Sequence, residues 1–274
     1  MQMPFKASVI ISTYNQPEWL KLVLYSYTLQ TEVNFEITIA DDGSDELTKT
    51  VIDKFTESYS IPVNHIWQED DGFRKTKILN KAILACQSDY LIFTDGDCIA
   101  RKDFVETHLA LKKSKHALSG GYFKLTEKTS NTITPQIVKE QKCFDKMWLL
   151  AKGQPNSFKL NKLTKSKFKA RLLNTLTPTK ATFDGMNVSC FKDDVLAVNG
   201  FDERMQYGGE DRELGERMMN NGITFLQVRY SAICVHLHHK RPYKNKATEN
   251  KNKTIRKTTK RKKLKWTKFG INRE

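Results

Sequence analysis

Residues 90–97 read Tyr90-Leu91-Ile92-Phe93-Thr94-Asp95-Gly96-Asp97. A short run of aromatic and branched apolar side chains that stops at two carboxylates predicts a strand buried on both faces and ending at a polar sheet edge. Working outward, the same pattern repeats. Residues 7–12 are an earlier apolar strand, followed by Thr13, Tyr14 and Asn15. Residues 35–40 are a second, ending in Asp41-Asp42-Gly43-Ser44, and residues 63–68 a third. Helical periodicity fills the gaps. One helix opens with Pro17 at its first position and Asn15 as its expected cap, and runs through Trp19, Leu20, Val23, Leu24 and Tyr27. Others cover 45–55 and 75–86. Strand alternating with helix predicts an α/β protein with a mostly parallel sheet covered by helices on both faces. Polar residues gather where strands one, two and four end, which is the ligand edge of an open sheet.

Downstream the pattern weakens. Residues 124–180 are rich in Lys, Thr, Asn and Ser, with a cluster at Phe144, Met147 and Trp148, and predict one helix followed by a mobile loop. Order returns over 182–191, then a short helix ended by Gly200, a helix over 210–221 stopped by Gly222, and closing strands over 223–228 and 232–237. Beyond Pro242 there are almost no core-forming residues before Leu264 and Trp266, which predicts a disordered tail. The expected division is therefore 1–122, a nucleotide-binding type of half; 123–181, a variable helix and loop insertion; 182–242, a second, smaller half; and 243–274, a basic tail.

The charge is as uneven as the pattern. The net charge is +15, from 46 Lys+Arg against 31 Asp+Glu. Residues 240–274 hold fifteen Lys/Arg and two Asp/Glu, or +13, so the other 239 residues are nearly neutral. Residues 146–180 hold nine Lys/Arg and no acid; without both stretches the body has 22 basic and 29 acidic groups. A near-neutral body with a basic appendage is not a uniformly basic nucleic-acid binder, and no helix-turn-helix, RNP or KH signature accompanies the tail. Nucleic acid therefore ranks last among partners. A Lys/Arg run with Trp266 and Phe269 suits an anionic membrane leaflet better. No apolar run approaches the roughly 20 residues of a membrane span, and the N-terminal apolar run reads as a strand rather than a secretory signal. Five widely spaced cysteines without a C-x-x-C pair predict free thiols in a reducing cytoplasm. The expected location is cytoplasmic, with peripheral attachment to the inner face of the plasma membrane through 243–274.

Three constellations carry chemistry. Asp95 and Asp97, one residue apart with Gly96 between, can turn toward one divalent cation; the plain alternative is a turn. Gly208-Gly209-Glu210-Asp211 opens a helix. Capping explains one of its acids but not the two glycines, which permit close approach and leave Asp211 able to accept a proton. His236 and His239, with His238 between them, end the last strand; their neutral imidazoles can complete a metal site begun by Asp95 and Asp97. That mixed oxygen and nitrogen set suits Mn²⁺ at least as well as Mg²⁺.

Taken in order, Val9-Ile-Ile-Ser-Thr-Tyr-Asn15, Asp41-Asp-Gly-Ser44, Asp95-Gly-Asp97 and Gly208-Gly-Glu-Asp211 resemble the GT-A glycosyltransferases of family 2. The stretch from Phe183-Asp-Gly-Met-Asn-Val-Ser189 through Gly200-Phe-Asp-Glu203 resembles a galactosyltransferase-type C-terminal subdomain of chondroitin-polymerase-like enzymes. The resemblance covers roughly residues 5–242. It implies a GT-A, Rossmann-like sheet, an acceptor-side subdomain and a metal-dependent, inverting hexosyltransferase. The donor would be a UDP-sugar, galacto-configured in preference, and the acceptor a saccharide or lipid-linked saccharide in cell-surface polysaccharide or lipopolysaccharide synthesis.

Site roles follow from the same resemblance. Ser12, Thr13 and Tyr14, with Asp41 or Asp42, would hold uracil and ribose; a carboxylate can accept the imide N–H of uracil. Arg74 and Lys77 would lie along the diphosphate. Asp95 would face ribose or metal, Asp97 would bind metal, and His236 or His239 would be a further ligand. Asp211 would be the base, and Glu210 would hydrogen-bond the acceptor. Where many relatives place Trp, this chain has Gln206-Tyr207, so another aromatic must supply any stacking surface. Two rivals remain: a metal-dependent nucleotidyltransferase releasing pyrophosphate, and non-catalytic nucleic-acid binding through the tail.

Overall fold

All seven residues of strand β1 (Ala7–Thr13) and all seven of β2 (Phe35–Asp41) are buried, which is why they read as nearly unbroken runs rather than as alternating ones. The computed structural model describes residues 4–240 and 244–272; the remainder, including 241–243 of the expected second half and tail, lies outside the described residues. The other strands are β3 (Val63–Trp67), β4 (Tyr90–Asp95), β5 (Cys98–Ala100), β6 (His116–Ser119), β7 (Gly121–Lys124), β8 (Asn187–Phe191), β9 (Thr224–Gln227) and β10 (Ile233–His236). The main sheet has the order β3-β2-β1-β4-β8-β6-β9, parallel from β3 through β4 and mixed beyond. A second sheet has the order β5-β10-β7.

The helices are α1 (Pro17–Tyr27), α2 (Glu46–Ser58), α3 (Lys75–Ala85), α4 (Phe104–Leu111), α5 (Glu127–Ser130), α6 (Pro135–Lys139), α7 (Lys146–Ala151), α8 (Lys167–Leu176), α9 (Lys192–Leu196), α10 (Glu210–Asn220) and α11 (Lys246–Arg261). Side chains leave a strand on alternate faces. Val9, Ile11, Tyr90 and Ile92 thus join one core with Leu20, Val23, Ile52 and Phe55 of α1 and α2. Ile10, Leu91 and Phe93 join a second core with Ile78 and Ile83 of α3 and Leu214 and Met218 of α10. This is the α/β sheet with helices on both faces that the alternating pattern predicts.

Two registers position the site. Parallel pairing sets Thr13 beside Asp41 and Ser12 beside Asp95, so the polar ends of β1, β2 and β4 finish together. Antiparallel pairing of β10 with β5 sets His236 beside Cys98, which carries the histidine segment to Asp97.

Several expectations need correction. Asn15 does not cap α1: Gln16 occupies that position without a side-chain cap. Asn15 instead adopts a φ of 46° and staples two strand ends, accepting from the Asp45 N–H at 2.8 Å and donating its own N–H to Ser44 Oγ at 2.9 Å. Residues 124–180 carry four short helices, α5 to α8, and two 3-10 turns rather than one helix and a loop. None buries more than two apolar side chains, such as Val138, Phe144 and Leu149, and α5 buries none, so no buried apolar period marks them. The expected closing strands separate, β9 pairing with β6 and β10 joining the small sheet.

The tail, expected to be disordered, contains the 16-residue helix α11. Its inward positions Thr248, Asn252, Arg256 and Thr259 have helical spacing but are polar, so an apolar period does not reveal them. Asn252 and Thr259 are buried. Arg256 pairs with Glu216, and Thr259 Oγ1 donates to Glu213 Oε1 at 2.8 Å. Farther on, Thr267 Oγ1 donates to Asp202 at 2.9 Å, and Phe269 O accepts from the Glu203 N–H at 2.8 Å.

Candidate active site

The ends of β1 and β4, the start of α3, the start of α10 and the end of β10 enclose a cavity of about 590 Å³. Ser12, Thr13, Tyr14, Asp42, Asp95, Asp97, Glu210, Asp211, His236 and His239 all line it. Asp41, Arg74 and Lys77 do not. Asp41 is buried below the edge, accepting from the Ser44 N–H at 2.8 Å and contacting His65 Nε2 at 3.0 Å. Arg74 turns its guanidinium to Asp71 and contributes only its backbone N–H, to Asp42 at 2.8 Å.

Lys75 is the cation that the residue pattern missed. Its ammonium donates to Asp95 Oδ1 at 2.7 Å. Burial would lower its pKa, but the charges of Asp95, Asp211 and Glu210 outweigh that and hold it above the ordinary lysine value. Lys75 and Lys77 are both on α3, and two residues of helix turn a side chain through about 200°. Choosing between them required knowing which face of α3 packs on the sheet. Ser12 Oγ donates to the same Asp95 oxygen at 2.6 Å.

Asp95 and Asp97 therefore face different partners. Asp97 Oδ2 lies 3.0 Å from His239 Nε2 and 3.6 Å from His236 Nε2, and the two imidazoles are stacked. Burial works against the Asp97 charge, yet the His239 hydrogen bond and both imidazoles hold its carboxyl below the ordinary value. Burial also lowers the pKa of His236, which keeps the ring neutral and able to ligate. One atom from each of Asp97, His236 and His239 can be brought within 4.8 Å of the others. His236 Nδ1 is buried without a hydrogen-bond partner among the described residues. One carboxylate and two imidazoles fit a borderline divalent cation, and both histidines belong to the group.

The Asp211 end is built by glycines. Gly208 and Gly209 have φ of 112° and 91°, the left-handed region, and turn the chain into α10. The Gly208 N–H donates to Glu210 Oε2 at 2.7 Å. Gly185 approaches Asp211 so closely that a Cβ there would sit 2.9 Å from Oδ1, and its N–H donates to Asp211 Oδ2 at 3.1 Å. Asp211 Oδ1 is buried with no hydrogen-bond partner among the described residues. Burial raises the Asp211 pKa, and burial plus the Asp211 charge pushes Glu210 up to about 7. Asp42 rises to about 6 by burial, and Asp184 to about 6 by burial and the charges of Asp211 and Asp95. Asp184 lines the cavity; the Phe183-Asp-Gly-Met motif contains it, but spacing alone marks no role for it. In the place of a Trp stand Tyr207 and Phe73, edge to face at 5.8 Å and both lining the cavity.

The sequence profile of glycosyl transferase family 2 matches residues 8–177. The chain belongs to that family. A second profile, described as the N-terminal domain of galactosyltransferase, matches residues 173–240. An uncharacterized glycosyltransferase of Bacillus subtilis (strain 168), YfnE, is 28% identical over 260 residues, covering 85% of this chain and 65% of its own length. A chondroitin synthase of Escherichia coli is 25% identical over 239 residues, covering 81% of this chain and 33% of its own. The chain thus spans a third to two thirds of these relatives. Among solved structures, GalNAc-T7 with UDP, GalNAc and Mn²⁺ superposes with a TM-score of 0.64 at 16% identity, covering 93% of this chain and 48% of the other. The fold is GT-A.

Proposed function

We propose that the protein is a metal-dependent, inverting glycosyltransferase that moves a hexose or N-acetylhexosamine from a UDP-sugar to a saccharide acceptor. The observation that carries this reading is Asp211: a buried carboxylate with one oxygen held by Gly185 and the other without a hydrogen-bond partner among the described residues, in the same cavity as Asp97, His236 and His239. The nucleotide end would lie over Ser12, Thr13, Tyr14 and Asp42. Asp97, His236 and His239 would hold Mn²⁺ or Mg²⁺, which supplies positive charge to the departing diphosphate. Lys75 would contribute a second cation there, in the role first expected of Arg74 and Lys77. Asp211 would take the proton of the acceptor hydroxyl as it attacks the anomeric carbon, and Glu210 would orient the acceptor. Tyr207 and Phe73 would give the acceptor ring its apolar surface.

Galacto-configuration of the transferred sugar belongs to this proposal, supported by the galactosyltransferase-type match over 173–240. So does a place in cell-surface polysaccharide or lipopolysaccharide synthesis, with a lipid-linked acceptor and the basic tail, 243–274, against an anionic leaflet. No helix among the described residues is long and apolar enough to cross a membrane. Donor turnover across a panel of UDP-sugars with Mn²⁺ tests the reading: UDP is the expected product, whereas pyrophosphate would turn it into a nucleotidyltransferase.

A further inference from the structure

Helix α8 (Lys167–Leu176) breaks the usual rule for a surface helix, whose apolar stripe faces the core. Phe168, Leu172 and Leu176 recur every four residues and so share one face, and that face points to solvent: they are 80%, 48% and 66% exposed. What docks the helix is small or polar. Ala170 is its buried side chain, while Asn174 Nδ2 donates to Ser231 Oγ at 2.9 Å and its Oδ1 accepts from the Tyr230 N–H at 2.9 Å. Phe158 and Met147 of the same segment are also exposed. Lys165, Lys167, Lys169 and Arg171 flank the stripe on exposed positions, and residues 146–180 contain no acid. None of the nine basic residues of this segment lines the cavity.

We propose that the outer face of α8 is a membrane-docking surface that inserts Phe168, Leu172 and Leu176 at the interface of an anionic bilayer. The charge selects this occupant. A protein partner for an apolar stripe does not require a segment wholly without acids, whereas an anionic leaflet attracts each lysine and arginine and accepts the apolar side chains beneath the headgroups. A cationic surface for nucleic acid has no use for three aligned aliphatic and aromatic side chains without a stacking platform. The surface is independent of the reading of the cavity, and its binding is measured without turnover. It is also distinct from helix α11 of the tail, whose outward positions carry lysines such as Lys251, Lys253 and Lys257 rather than an apolar stripe.

The test is co-sedimentation of the full chain with vesicles of phosphatidylcholine alone and of phosphatidylcholine with an equal part of phosphatidylglycerol. Binding to the anionic vesicles is expected, and Phe168→Ser with Leu172→Ser and Leu176→Ser lowers the partition coefficient by about tenfold or more, since each large apolar side chain buried is itself worth about a factor of ten. These side chains are exposed, so the melting temperature is expected to stay unchanged. An environment-sensitive dye on Leu172→Cys reads insertion directly, because the five native cysteines are buried; its emission shifts to the blue on anionic vesicles. Undiminished binding by the triple variant, no blue shift, binding abolished by salt alone, or association of the chain with itself or with RNA in place of vesicles would each overturn the proposal.

Discussion

Asp211 and its neighbours illustrate how a cavity built for charge chemistry lowers stability. Asp42, Asp95, Asp97, Asp184, Glu210 and Asp211 all line it, and Lys75 compensates for only some of them. A carboxyl whose folded pKa is raised contributes most below its unfolded pKa, and that contribution is lost as pH rises through the folded value. For Glu210 the window runs from the ordinary carboxylate value, near 4.5, up to about 7. At pH 8, Asp211→Asn is therefore expected to melt higher, by about 2 to 4 °C for each kcal/mol recovered, and the difference shrinks as pH falls through that window; calorimetry from pH 8 to pH 5 checks it. With Asp211 as the proposed base, transfer would need that carboxyl ionised, so its rate is expected to fall on the acid side. Removing the nearby cation raises carboxyl pKa values further, so Lys75→Met is expected to move the acid limb of the pH–rate profile to higher pH. Much of this chemistry was legible in the sequence because strand-end carboxylates are short, local signals. Lys75 and Asp184 were not, because only packing decides which side of α3 and which acid of a loop face the cavity.

At the scale of elements, the strands and long helices were legible from period alone, and α11 was not. Its inward stripe is polar, and the helix docks through hydrogen bonds to groups that only the tertiary fold supplies. Asn252 is one such contact: its amide donates to the backbone carbonyls of Gln206, Tyr207 and Gly208 at 2.9, 3.3 and 3.2 Å, the turn that leads into Glu210 and Asp211. Asn252→Ala leaves those buried carbonyls without their donor, an expected cost of about 1 to 3 kcal/mol. Denaturant unfolding measures it, and kcat is expected to fall with nucleotide binding less affected. For the same reason, deleting 244–274 to test the tail as a membrane anchor removes structure as well as charge. Replacing the outward Lys251, Lys253 and Lys257 by Gln is the cleaner variant.

For the whole molecule, two sheets meet where β5 and β10 carry Asp97 and His236 to the edge at which β1, β2 and β4 end. A cation held by Asp97, His236 and His239 would tie the turn between β4 and β5 to the end of β10. A ligand that binds only the folded chain stabilises it by mass action. Mn²⁺ is therefore expected to raise the melting temperature of the wild type and to have little effect on His239→Ala. Asp211 is the proposed base of UDP-sugar transfer, and Asp211→Asn separates that role from donor binding when UDP binding and acceptor-dependent UDP release are measured side by side. The expected result is UDP affinity unchanged and release reduced by about a hundredfold or more; release at the wild-type rate would contradict it.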